Sequence, residues 1–252
     1  MLRLDHFVIH IDNDFEKINN LKKEFNKLDL PFNPKKGKGT KGFKVINFWS
    51  GEQYLEMLYL KNLEGGGWKS EWIDKYNQGK RGIFGICLFT DSLDEIKAGL
   101  MKRGLEIEGP ERITFSMFFG LLKKSLPFRT VYVKPIPNSD LQIFFLQMDS
   151  EEKYEFTKKH FMKPNAQDVG VSSIYKAIVK KKFSNEEWVF IQKIFPQLIE
   201  EQGKRTVNMG DTHLHFVSTQ DDLLTVDVHL KSEREEHKNR RIDIENVSLY
   251  LN

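Results

Sequence analysis

A strand followed at once by a helix recurs three times in this chain, and each time short strand signals come next. The first copy is MLRLDHFVIHID, residues Met1 to Asp12, running into DNDFEKINNLKKEF. GIFGICLFTD runs into SLDEIKAGLMKRG near residue 82, and VSSIYKAIVKKKF into SNEEWVFIQKIF near residue 171. In the first strand, apolar residues alternate with His6 and His10, which places both imidazoles on one face. A unit that cannot bury its apolar face alone must stack on its neighbours, so the repeat predicts an α+β fold of βαβββ modules. The expected bounds are about 1–62, 82–149 and 168–252, with 150–167 as linker.

Composition narrows the class. A hydrophobic share of 39% over 252 residues supports a globular core. The formal charge of +3 is small and evenly interspersed, so nucleic acid is not an expected partner. One cysteine, Cys87, excludes an intrachain disulfide and fits a reducing compartment. No signal peptide and no membrane-spanning run is read, which makes the cytoplasm the expected location.

Local signals fill in the modules. Asp12, Asn13 or Asp14 can cap the first helix, whose Ile18, Leu21, Phe25 and Leu28 share a face. PKKGKGTKGFK, with five lysines from Lys35 to Lys44, reads as a solvated hairpin tip or as an anion-attracting loop. FKVINFW and QYLEMLYL form a hairpin in which Glu56 lies among apolar residues, where a carboxylate is costly unless it is partnered. Trp68 and Trp72 anchor the connection to the second module. Ser92 with Glu95, and Ser184 with Glu187, predict capping boxes. Phe115 to Phe128 is apolar enough for a lid, a partner surface or core. SEREEHKNRR reads as a solvated loop.

The strand LDHFVIHI, the run YLEMLYL about fifty residues on, and GIFGICLFTDSLDEIKAGLMKRGL together resemble the vicinal oxygen chelate superfamily, nearest its glyoxalase-like domain group. The likeness covers Met1 to about Met148. It implies that the first two modules form a curved half-barrel holding a divalent metal (Mn, Fe, Ni, Co or Zn), with one ligand from the first and last strand of each module. His6 and Glu56 match the first module's pair. The second pair is missing: Gly85 stands where a His or Gln is expected, and Ile143 to Phe145 where a Glu is, with Gln142 and Gln147 beside them. The expected metal site is therefore degenerate.

Two functions follow as expectations. One is a metal-free protein that binds a small organic ligand, with anions among the candidates, where Glu56 is a general base oriented by His6. The other is a metal-dependent lyase, isomerase or dioxygenase on a vicinal-oxygen substrate, with His6 and Glu56 as ligands and His10 as a candidate third. His10, Trp49, Cys87 and Arg129 are the candidate ligand contacts. His213, His215 and His229, on adjacent strands of the third module, are a further candidate metal set. An odd module also predicts a homodimer paired through it.

Overall fold

The computed structural model describes residues 2–117, 122–201 and 203–252. The first module comprises β1 (Leu2–His10), α1 (Phe15–Lys27), β2 (Phe43–Ser50) and β3 (Gln53–Leu60). Asp14 caps α1, its side chain accepting from Lys17 N. Two strands rather than three follow this helix, because the lysine- and glycine-rich stretch forms only an isolated bridge between Gly39 and Lys44. The connection contains α2 (Ser70–Asn77), which buries Trp72 and Tyr76.

The second module comprises β4 (Gly82–Thr90), α3 (Leu93–Lys102), β5 (Ile107–Glu111), β6 (Thr114–Met117), β7 (Leu122–Ser125), β8 (Phe128–Val133) and β9 (Gln142–Met148). The expected capping box at Ser92 is absent: the Ser92 side chain makes no cap bond. Gln147 of β9 caps α3 instead, accepting from Leu93 N at 3.2 Å. β6 and β7 pair as a separate hairpin, while residues 118–121, at the centre of the expected lid, lie outside the described residues.

After α4 (Glu151–His160) come β10 (Val171–Lys181), α5 (Asn185–Ile194), β11 (Ile199–Glu201), β12 (Lys204–Met209) and β13 (Thr212–Ser218). The chain ends with β14 (Thr225–Ser232), β15 (Arg240–Ile244) and β16 (Val247–Leu251). Here the Ser184–Glu187 capping box forms in full. Glu187 also meets Lys181 at 2.6 Å, which pairs an otherwise costly buried carboxylate.

These strands make two seven-stranded sheets, β2-β3-β1-β4-β9-β8-β5 and β11-β12-β13-β10-β14-β16-β15. In the first, β1 is parallel to β3 and antiparallel to β4, which is parallel to β9. The second repeats this arrangement with β10, β13, β14 and β16. It therefore contains strands beyond those of a single βαβββ module. β14 to β16 form a further unit in which the charged SEREEHKNRR segment, with no apolar stripe to bury, makes only a short 3-10 turn at Glu235–His237. β10 to β13 pair with this unit in one sheet, so the argument for a dimer from an unpaired module has no unfilled sheet to rest on.

One apolar cluster runs through both sheets, from Phe7, Phe25 and Phe145 to Ala177, Phe216 and Leu249. Gln53 ties the two together: its amide donates to Thr212 Oγ1 at 2.8 Å and its carbonyl accepts from Ile174 N at 2.7 Å. No helix among the described residues is long and apolar enough to cross a membrane.

Candidate functional site

Alternation along β1 divides its side chains. Leu4, Phe7 and Ile9 enter the shared core on the helix side, while Val8 joins a second cluster on the opposite, cleft face with Trp49, Trp72, Phe84, Cys87, Tyr132, Phe144 and Tyr154. The β1–β4 pleat is broken twice, the second time between Val8 and Ile9. The β1–β4 register shifts between Leu4 and His6, and this bulge brings Asp5 beside His6. Asp5 Oδ1 accepts from His6 Nδ1 at 2.5 Å. The imidazole stacks on Tyr54 with ring centres 4.4 Å apart and meets the edge of Phe144 at 5.5 Å. With its proton on Nδ1, His6 turns the Nε2 lone pair towards Glu56 Oε2, 3.9 Å away.

Glu56, on β3, lies across from Val8 of β1 and Asn47 of β2. Its side chain is 15% exposed, about as much as that of Asp5, while the imidazole between them is buried. Burial raises its pKa, opposed by His6 and reinforced by the Asp5 charge. A carboxyl group whose proton affinity burial raises and an imidazole nitrogen face each other, which is an arrangement able to exchange a proton with a bound molecule.

The other expected residues separate into groups. Cys87 pairs with His6 across β1 and β4 and is wholly buried. Burial, then the Asp5 and Glu56 charges, push its thiol well up, so it is not an activated nucleophile. Trp49 is on the cleft face, its ring tilted against that of Tyr54 with centres 3.9 Å apart. His10 is on that face but further along β1, fully buried against Phe84 at 4.0 Å, and its Nε2 accepts from Trp68 Nε1 at 3.1 Å. Burial, assisted by Arg81 and Lys75, lowers its pKa to about 3, which keeps it neutral. Arg129 is placed elsewhere than expected: it reaches Asp94 of α3 at 3.3 Å and Gln147 at 3.1 Å, and so braces the helix end rather than the cleft. His213, His215 and His229 lie on the second sheet, where no three-ligand group converges among the described residues.

Aromatic rings crowd the two places where the resemblance leads one to expect a second pair of metal ligands. Gly85 leaves no room for a side chain, since a Cβ there would lie 2.9 Å from Phe144 and 3.1 Å from Trp72. Phe144 fills the cleft side of β9, stacked on Tyr132 at 5.0 Å. The residues present therefore do not fit the four-ligand metal of the family. Among the described residues, a different set of side chains could group around a metal, Asp5, His6 and Cys87, with one ligand atom from each within 4.8 Å of the others.

Sequence reasoning missed two features of this face. Asp5 was hidden because a bulge leaves no period in the sequence. The second was the set of polar atoms buried without a partner: His10 Nδ1, Asn47 Oδ1, Trp49 Nε1, Trp72 Nε1 and Gln142 Oε1. These account for five of the six such atoms among the described residues, and all five side chains belong to the cleft face. An open groove of about 550 Å³, lined by Asp12, Lys17, Tyr76 and Arg81 among others, lies at the far end of β1. Three of its charges are already paired, Asp12 with Lys17 at 2.5 Å and with Arg81 at 2.6 Å.

No protein-family model and no curated protein matches the chain. Among solved structures, it is similar to a hypothetical protein from Staphylococcus aureus over 100% of this chain and 99% of that one, with a TM-score of 0.73 and 18% identity. A mutant of 4-hydroxymandelate synthase from Streptomyces coelicolor matches over 92% of this chain and 71% of its own, with a TM-score of 0.53 and 9% identity. A fusion of a xylose isomerase-like TIM barrel with 4-hydroxyphenylpyruvate dioxygenase matches 92% of this chain and 37% of its own, with a TM-score of 0.57 and 10% identity. These likenesses are of fold. The chain has the vicinal oxygen chelate fold, built from repeated strand and helix modules.

Proposed function

We propose that the chain binds a small, uncharged organic molecule on the cleft face of its first sheet, at a vicinal oxygen chelate site that lacks the second pair of metal ligands. The glyoxalase-like grouping rests on His6 and the Tyr54–Leu58 run alone, so no glyoxalase reaction is assigned. The five unpartnered atoms carry the reading. An unmet buried donor or acceptor costs about 1–3 kcal/mol, so five on one face call for a partner. Because His10 Nε2 accepts from Trp68, its proton is on Nδ1; with the two indoles this gives three donors, against the acceptors of Asn47 and Gln142. A molecule with carbonyl or hydroxyl oxygens and a flat apolar body suits that set among these rings. The carboxyl groups of Asp5 and Glu56 beside His6 oppose an anion there, which narrows the sequence-based expectation. Glu56 and His6 are the pair through which a proton would pass.

Native mass spectrometry of untagged protein, compared with its denatured mass, tests this. A non-covalent organic adduct, weakened in Glu56→Ala, is expected. No adduct, together with no thermal shift across a panel of uncharged metabolites, overturns it. A metal reading draws its support from the Asp5, His6 and Cys87 group. About one equivalent of Mn, Fe, Ni, Co or Zn by elemental analysis, lost in His6→Ala, would favour it instead.

A further inference from the structure

The second sheet turns Ala177, Val179, Leu214, Phe216, Val226 and Val228 into the core. Its other face is polar, and the strand registers align one row across it: Asn208, His213, Lys176, His229, Tyr250 and Arg241. Most charges around this row are already met. Arg241 bonds Asp243 at 2.6 Å, His213 Nδ1 donates to Asn208 Oδ1 at 2.7 Å, and Lys180 pairs with Asp227 in the next row. Lys176, at the centre, has no carboxylate partner among the described residues.

His229 is its neighbour across β10 and β14. The Asn252 amide nitrogen has only hydrogens to offer, so in the 3.1 Å contact with His229 Nδ1 the ring accepts. The proton of the neutral imidazole is therefore on Nε2, and this buried N–H has no acceptor. Tyr250 fixes the ring by stacking at 4.8 Å with planes 12° apart. Burial, then the Lys176 charge, lower the pKa of His229 to about 4, so the ring is neutral at physiological pH. Lys176 contributes in the same direction at His215, after burial, Lys204 and His213.

We propose that the polar face of the second sheet is an oxyanion site, in which Lys176 and His229 Nε2–H bind a carboxylate or phosphate group of a small molecule. The charge and the unmet donor supply what such a group needs: one ammonium and one directed hydrogen bond from adjacent strands. Asp227, the nearest acid in the next row, does not compete for Lys176 because Lys180 holds it. This site is independent of the one on the first sheet.

Titration with sodium phosphate and, separately, sodium acetate at constant ionic strength, followed by ¹H–¹⁵N correlation of the histidine rings, tests the proposal. A saturable shift at His229 is expected with at least one anion. Lys176→Gln should weaken the apparent affinity about tenfold or more, as loss of a charge-assisted hydrogen bond implies, while Lys176→Arg and Asn208→Ala keep it. Binding of phosphate alone identifies a phosphate group, and binding of acetate a carboxylate. If Lys176→Gln does not fold, His229→Phe keeps the stack on Tyr250 and loses the donor, and the same weakening is expected by isothermal titration calorimetry of the variant against wild type. No saturable shift with either anion, or equal affinity in the folded variants, overturns the proposal.

Discussion

Asp5 Oδ1 accepts a hydrogen bond from His6 Nδ1 at 2.5 Å, although a regular strand would send these adjacent side chains to opposite faces. The β1 bulge makes the contact, and the contact fixes which imidazole nitrogen faces Glu56. Asp5→Ala leaves a buried N–H without an acceptor, at a cost of about 1–3 kcal/mol. Asp5→Asn keeps an acceptor oxygen and should cost less. Urea unfolding of the two variants checks this; equal losses would show that the bond contributes nothing.

Glu56 carries a raised pKa, caused first by burial. Between the ordinary carboxylate value and the raised one, the folded chain holds a proton that the unfolded chain has released, so stability falls as pH rises through that window. Glu56→Gln removes the titration. The variant should gain on wild type as pH climbs above about 4.5 and then level off. Parallel denaturation curves of the two proteins from pH 4 to 8 would contradict the assignment.

His10 titrates in the opposite sense. Its folded pKa of about 3 lies below the ordinary imidazole value of 6.5, so its contribution is complete above 6.5 and is lost as pH falls towards 3. At pH 5 the unfolded imidazole is charged and the folded one is not, a loss of about 2 kcal/mol. His10→Gln should reduce the fall in stability between pH 7 and 5 by about that amount, while His215 and His229, each at about 4, leave a remainder. An unchanged fall in the variant would mean that His10 is protonated inside the fold.

The strands and helices of the three modules were legible because β1, β4 and β10 each alternate or run apolar before a helix with one buried stripe. His6 and Glu56 could be paired from the fold they imply. What could not be read depended on register. The bulge at Asp5, the use of Gln147 rather than Ser92 to cap α3, and the turn of Arg129 to the helix side each follow from which strand lies next to which. The unit β14 to β16 was hidden because its helix is missing, and periodicity is the only sign of a module that sequence offers.

Gly85 shows how the cleft has been rebuilt. A Cβ at this position would lie 2.9 Å from Phe144 and 3.1 Å from Trp72, both held by other rings: Phe144 by Tyr132, and Trp72 by Phe144 and Tyr132. Neither ring can retreat without disturbing that stack, so Gly85→Ala should cost about 1–3 kcal/mol as an overpacked core does. Phe144→Leu opens space on the same side, and in that background Gly85→Ala should cost measurably less, a coupling that a double-mutant cycle by thermal or urea unfolding reads directly. Equal costs in the two backgrounds would mean that the space at Gly85 is not defined by Phe144. A coupled pair would tie the absent metal ligand to the aromatic filling of the cleft: restoring a histidine at residue 85 would require removing rings from Phe144 and Trp72 first, and Gly85→His alone should destabilise the fold without recruiting metal.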